Sequence, residues 1–252
     1  MTKHWQDLRR SFRLFSSFRT EQTDPAGFYR LIADDALALI EPHRPVDGLT
    51  VLDIGGGPGH YTRAFREAGA RCVLVDVELD EIAETGPTAT DTLVGTAAQL
   101  PFPDASVDVV FSSNMLEHVA DPDHVRGELV RVLKPGGLFV LSYTNWLSPW
   151  GGHETSPWHF LGGRFAARRY EKKNGVKPKN DFGRSLFAIS VANGLAWGKS
   201  RADLALLDER PRYLPRWAKV VLKVPGLREI VTWNLWQVFE KKTYPLTEAG
   251  TL

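Results

Sequence analysis

The run Val51-Leu52-Asp53-Ile54-Gly55-Gly56-Gly57-Pro58-Gly59 limits what this chain can become more than any other stretch does. Its first four residues read as a buried strand, and the residues from Pro58 onward read as a helix. Glycines at 55, 57 and 59 let the backbone turn sharply and approach a ligand closely, where a Cβ would collide. A strand, a glycine turn and a helix in that order open an α/β sheet. The spacing is G-x-G-x-G rather than G-x-G-x-x-G, and Pro58 removes an N–H that a pyrophosphate cradle uses, so a nicotinamide dinucleotide is disfavoured. Asp53, two residues before the first glycine, is badly placed beside a phosphate and well placed beside a cationic ligand.

The same rhythm continues along the chain. Strands are predicted at about 50–54, 71–76, 91–95, 107–113 and 137–144, with helices at about 58–69, 78–85 and 121–133. Strands alternating with helices of this length specify a mainly parallel, doubly wound sheet. Upstream, Trp5, Leu8, Phe12, Phe15 and Phe18 recur at helical spacing beside Arg9, Arg10 and Arg13. A second helix starts at Asp24-Pro25 and runs towards Pro42. Downstream, residues 145–184 read as a loop-and-helix insertion and 211–233 as a second insertion containing a helix. A helix near 190–198, a strand near 202–208 and a last strand at 234–241 resume the α/β pattern.

Asp76 ends the second strand, seventeen residues after Gly59, where an acid can accept from both hydroxyls of a ribose. Together these residues resemble the class I S-adenosylmethionine-dependent methyltransferases. The resemblance runs from about residue 49 to 144 and more weakly to 241. Gly95-Thr96-Ala97-Ala98-Gln99-Leu100-Pro101-Phe102-Pro103-Asp104 is similar to the family's loop around the adenine. Ser112-Ser113-Asn114-Met115-Leu116-Glu117-His118-Val119 is similar to the end of its fourth strand and the turn that follows. Leu133-Lys134-Pro135-Gly136-Gly137 matches its turn into the fifth strand.

The resemblance implies S-adenosylmethionine as cofactor, held by Asp53, Gly55, Gly57, Gly59, Asp76, Thr96, Ala97, Gln99 and Asn114. It also implies an α/β, Rossmann-like fold organised as an N-terminal helical cap (1–48), a cofactor-binding core (49–144) and a remainder (145–252). The insertions of that remainder form a helical lid, and its last strands complete the same domain. One departure stands at Thr96, where the family often carries an acid for the adenine amino group. The amides of Ala97 or Ala98, or the Gln99 side chain, are the substitutes for that contact.

Methyl transfer from a sulfonium is an in-line displacement, for which a protein supplies alignment and a dry site. An oxygen acceptor also gains from a general base at the carboxyl ends of strands four and five. Candidates there are His118, which could equally hold a structural hydrogen bond, and the pair His153 and Glu154, which could equally be a solvated loop pair. Gly151-Gly152 before that pair reads as a hinge. A histidine–acid metal site is conceivable here, but ligand spacing along the chain is absent and none is expected. A lone cysteine, Cys72, excludes an internal disulfide and a cysteine-built cluster.

Charge divides the chain. Residues 51–141 carry 14 acids and 6 bases, whereas residues 142–252 carry 9 acids and 18 bases and seven of the eight tryptophans. Bases interleaved with tryptophan suit a lipid headgroup interface, with Trp217 and Trp233 as its anchors, or else a folded cap with a wet lysine face. The acidic core disfavours nucleic acid, and no RNA-binding module is legible. With no apolar run long enough to span a membrane and no signal peptide, the expected place is the cytoplasm, with peripheral contact at the inner face of the membrane as an extension. The expected activity is methylation, on oxygen, of a small molecule or of the polar head of a lipid or glycolipid. A cofactor-binding regulatory protein without turnover and an RNA-modifying enzyme are the rivals. Ser142-Tyr143-Thr144-Asn145-Trp146 and Gly151-Gly152-His153-Glu154 resemble a group of actinobacterial methyltransferases.

Overall fold

Every residue of the run Thr50–Ile54 after Thr50 is buried, and this run becomes the central strand, β1. In the computed structural model, which describes residues 3–19, 23–78 and 91–243, β1 pairs in parallel with β2 (Arg71–Asp76) and with β4 (Val107–Ser113). β3 (Thr92–Val94) extends the sheet beyond β2, and β5 (Leu133–Thr144) extends it beyond β4. β7 (Asn234–Lys241) then runs antiparallel between β5 and β6 (Leu204–Pro211). The order among the described residues is β3-β2-β1-β4-β5-β7-β6, the mainly parallel Rossmann-like sheet that the sequence predicts. The chain leaves β1 to one side and returns to β4 on the other, so the topological switch point lies between these two strands.

Alternation along the strands builds two apolar layers. Val51, Val109 and Phe111 pack with Ile40 of α2 (Pro25–Ile40) and Phe65 of α3 (His60–Glu67). Their neighbours Leu52, Ile54 and Val110 face the other way, towards Leu129 of α4 (Pro122–Val132) and Leu195 of α6 (Val191–Ser200). The helices begin where short polar side chains can cap them. Asp24 accepts from the Gly27 amide, Asp121 from His124 and Ser190 from Asn193, each at 3.0 Å.

Some boundaries differ from expectation. β5 starts at Leu133 rather than 137, because Val107 pairs with Leu133 and Val109 with Leu138. The expected turn at 134–137 is thus a bulge inside one strand, with Gly136 in left-handed backbone at φ 75°. β6 reaches Pro211 rather than 208, because β7 pairs with it as far as Leu235. Apart from Glu78, the helix expected at 78–85 lies outside the described residues.

The segments outside the sheet converge on its carboxyl edge. α1 (Lys3–Ser17) and α2 enclose Tyr213 of the second insertion between Leu14, Phe28 and Ile32. Arg10 binds Asp35 through both carboxylate oxygens at 2.6 and 2.7 Å and donates to the Arg212 carbonyl at 2.8 Å. Fully buried Arg212 in turn donates to Ser113 Oγ at 2.8 Å, Ser142 Oγ at 3.2 Å and Tyr61 OH at 3.0 Å. The N-terminal cap is thereby pinned to the ends of β4 and β5. The first insertion carries 3-10 turns at His153–Thr155 and Trp158–Leu161 and then α5 (Gly163–Asn174). The second holds a 3-10 stretch, Arg216–Lys223, and α7 (Leu227–Val231).

The tryptophans divide between the two expected roles. Trp236 and Trp197 are core. Trp233 is not an exposed anchor: it packs edge-on against Phe15 and Trp150, at 5.1 and 4.8 Å between ring centroids. Trp150, Trp158 and Trp217 remain exposed.

Candidate active site

Outside the carboxyl ends of β1, β2 and β4, at the switch point, lies a cleft of about 490 Å³. Its floor is Ile54, Gly55 and Asp76; Gly95, Thr96 and Ala97 form one wall, and Asn114, Met115, His118 and His153 form the other. Gly55, Gly57 and Gly59 all adopt left-handed backbone, at φ 71°, 47° and 78°. A Cβ on Gly55 would lie 2.5 Å from Met115 Cγ, so only glycine allows the turn to pass under that side chain. Asp76 Oδ2 accepts from the Gly57 amide at 2.8 Å and Oδ1 from the Glu78 amide at 3.1 Å. These bonds orient the carboxylate and leave further lone pairs for a diol.

Asp53 departs from its expected position. It is buried beneath the glycine loop and does not line the cleft; its Oδ2 accepts from Thr62 Oγ1 at 2.6 Å. Burial raises its carboxyl to about 6 against the lowering effect of the Thr62 hydrogen bonds. Asp53 therefore supports the loop from below.

The loop at 95–100 is held by partners that sequence spacing did not indicate. Glu128 Oε1 accepts from the Leu100 amide at 2.6 Å, and His124 Nε2 donates to the Ala98 carbonyl at 2.9 Å. Thr96 Oγ1 takes the Ala98 amide at 3.2 Å. Of the substitutes expected for the adenine contact, Ala97 lines the cleft, the Ala98 amide is engaged, and Gln99 is exposed outside the lining.

At the other end, Asn114 (φ 55°) turns the chain out of β4, and its Oδ1 accepts from Asn234 Nδ2 at 2.7 Å. The 3-10 turn Leu116–His118 follows. His118 Nδ1 donates to the Ser185 carbonyl at 2.7 Å, which puts the free lone pair on Nε2. Its ring meets that of His153 edge-on, 5.1 Å between centroids. His153 sits in left-handed backbone at φ 48°, and burial, with the neighbouring His118, pushes it down to about 4. Glu117 is buried beside them, with Oε1 accepting from the Thr144 amide at 3.0 Å; burial raises its carboxyl.

Glu154 does not pair with His153 in the cleft. Both its oxygens accept from Asn180, from the backbone and the side chain, at 2.8 Å each. Burial would raise this carboxyl, but the Asn180 hydrogen bonds outweigh it and lower it. Gly151 and Gly152, expected as a hinge, sit at closely packed positions. A Cβ at Gly151 would overlap the Trp146 carbonyl, and one at Gly152 would lie 2.5 Å from His159 Cβ, so both glycines serve close packing.

Residues 52–141 match a family model described as "Methyltransferase domain". Across most of its length the chain is also 48% identical to an "Uncharacterized methyltransferase" of Mycolicibacterium gilvum (strain PYR-GCK), over 238 residues covering 90% of this chain and 92% of that one. This chain belongs to the class I S-adenosylmethionine-dependent methyltransferases. An "Uncharacterized methyltransferase" of Mycobacterium tuberculosis (strain ATCC 25177 / H37Ra) is 47% identical over 238 residues, 90% of this chain and 93% of that one. In fold, the methyltransferase is similar to the crystal structure of an S-adenosylmethionine-dependent methyltransferase from Mesorhizobium loti, with TM-score 0.57 and 22% identity over 82% of this chain and 96% of that one.

The methyltransferase cleft suits its cofactor. Asp76 presents an oriented carboxylate at the end of β2, and Gly55 leaves the floor there without a side chain, whereas Gly57 and Gly59 shape the turn without lining the cleft. Sequence reasoning missed Lys179, Asn180 and Arg184, which line the cleft from the first insertion. Their composition reads as a wet basic surface, and only the return of the chain through Ser185 to His118 brings them here.

Proposed function

We propose that this methyltransferase transfers a methyl group to an oxygen of a small molecule or of an amphiphile's polar head, at the end of the cleft marked by His118 and His153. The observation that carries the reading is the convergence of two imidazoles and the Glu117 carboxylate at the carboxyl ends of β4 and β5. S-adenosylmethionine would supply, when bound, a sulfonium methyl: an acceptor oxygen bonds to its carbon while the C–S electron pair leaves with sulfur as a neutral thioether. The acceptor's proton then needs a sink, and His118 Nε2 carries a lone pair for it. His153, neutral through the physiological range, is a poor base and serves to wall the site. Asp76 and Asn114 position the nucleoside and methionyl ends, and Met115 with Ile54 excludes water beneath them.

The exposed surface supports an amphiphilic acceptor. Trp158, Phe160, Leu161 and Phe165 are exposed on the first insertion beside Arg164, Arg168 and Arg169. Trp217, Val220, Leu227 and Ile230 are exposed on the second beside Arg216, Lys219 and Lys223. No described helix is long and apolar enough to cross a membrane, so contact with anionic lipid would be peripheral. Incubating the protein with methyl-labelled S-adenosylmethionine and a fractionated lysate tests the reading. Label is expected in the lipid or small-molecule pool; label in RNA, or in no pool, would overturn it.

A further inference from the structure

The geometry points to a divalent-cation site at the acceptor end of the cleft, formed by Glu117, His118 and His153. One ligand atom from each of these residues lies within 4.8 Å of the other two. Two neutral ring nitrogens and a carboxylate form the donor set that borderline cations such as Zn²⁺, Fe²⁺ and Co²⁺ select, whereas Mg²⁺ and Ca²⁺ favour all-oxygen cages.

Three features argue for a site over a chance cluster. First, Glu117 is 1% exposed; its Oε1 is held by the Thr144 amide, while its Oε2 is buried without a hydrogen-bond partner. A buried carboxylate oxygen left in this way is costly unless it takes up a proton or meets a cation. Second, His153 Nδ1 is likewise buried without a partner, on a residue held in left-handed backbone. Strain of that kind persists only where the surroundings impose it. Third, the Ser185 carbonyl takes the His118 Nδ1 proton at 2.7 Å. That is the outer hydrogen bond by which ligating histidines are oriented, and it leaves Nε2 as the donor atom; with a cation bound, the metal acidifies the acceptor in place of His118 acting as its base.

Bonds of about 2.1 Å hold adjacent ligands roughly 3–3.4 Å apart, a spacing that side-chain rotation from separations of 4.8 Å or less can reach. Three protein ligands leave coordination positions for water or an acceptor oxygen. Resting on the methyl-transfer reading above, the site selects acceptors with an oxygen that a cation can bind and make acidic, such as a phenol or an enol. The sequence conceals the set, because 35 residues separate His118 from His153.

The test uses Co²⁺ added to chelator-stripped full-length protein, with ligand-field absorption and competition against a chromophoric chelator as readouts. One equivalent is expected to bind with visible absorption bands. Glu117→Gln keeps the acceptor for the Thr144 amide, and His153→Asn keeps a residue type that tolerates positive φ. Each is expected to weaken Co²⁺ at least 10-fold while calorimetric S-adenosylmethionine affinity stays within twofold. Should E117Q not fold, H153N makes the same comparison. Absence of Co²⁺ bands in the wild-type protein, or equal Co²⁺ affinity in wild type and variants, overturns the site. Failure of the wild type to bind S-adenosylmethionine would instead strike the cleft reading and leave the cation result standing.

Discussion

Asp76 Oδ2 accepts a hydrogen bond from the Gly57 amide at 2.8 Å, which locks the end of β2 to the glycine loop that follows β1. One carboxylate thereby both shapes the turn and faces the cleft where a ribose would lie. Asp76→Ala removes both functions. Two charge-assisted hydrogen bonds of roughly 1.5–3 kcal/mol each correspond to about 100-fold or more in affinity. Calorimetry with S-adenosylmethionine should show that loss in a folded variant; affinity within threefold of wild type would remove Asp76 from the ribose site.

Asp53 makes stability depend on pH. Its buried carboxyl titrates near 6 in the folded protein, against 3.8 for an ordinary aspartate. The folded state binds this proton more tightly than the unfolded chain, so the contribution of Asp53 falls as pH rises from about 4 to about 6 and stays low above that. A difference of that size corresponds to about 3 kcal/mol. Asp53→Asn, which retains an acceptor for Thr62, should flatten urea-denaturation stability across this window relative to wild type. Parallel pH profiles for the two proteins would show that Asp53 does not carry the effect.

Gly151→Ala should damage turnover without touching the cofactor end. Its Cβ would overlap the Trp146 carbonyl, a backbone group that cannot rotate away, and overpacking of this kind costs about 1–3 kcal/mol. The displaced segment carries His153. The expected result is a large loss of kcat with S-adenosylmethionine affinity unchanged. Wild-type kcat in a folded variant would mean that the segment tolerates the shift and that the position of His153 is not critical.

The second insertion offers the clearest test of a lipid surface, since Trp217 is 55% exposed among Arg216, Lys219 and Lys223. Each base near an anionic surface is worth roughly 1 kcal/mol. Binding to phosphatidylglycerol vesicles should therefore weaken with salt, and the double variant K219E/K223E should bind on the order of tenfold or more less tightly at low salt. If the wild type does not associate with such vesicles at low salt, these bases are simply a solvated face.

The sequence by itself determined the glycine loop, the place of Asp76 at the end of β2, the succession of strands and helices and the helix start at Asp24, because each depends on local requirements. Positive φ at Gly55, Gly57 and Gly59 and a carboxylate at the end of a strand are set within a few residues. Buried alternation likewise reports strand faces one residue at a time. Tertiary structure decided what depends on distant neighbours. Asp53 reads as a ligand for a cation until burial beneath the glycine loop and the Thr62 hydroxyl claim its carboxylate. Glu154 reads as the partner of His153 until Asn180, 26 residues on, takes both its oxygens. Trp233 reads as an anchor until Phe15, from the far end of the chain, packs against it. The convergence of Glu117, His118 and His153 has the same origin: 3-10 turns from two separate crossings of the sheet edge meet there, and spacing along the chain carries no trace of that meeting.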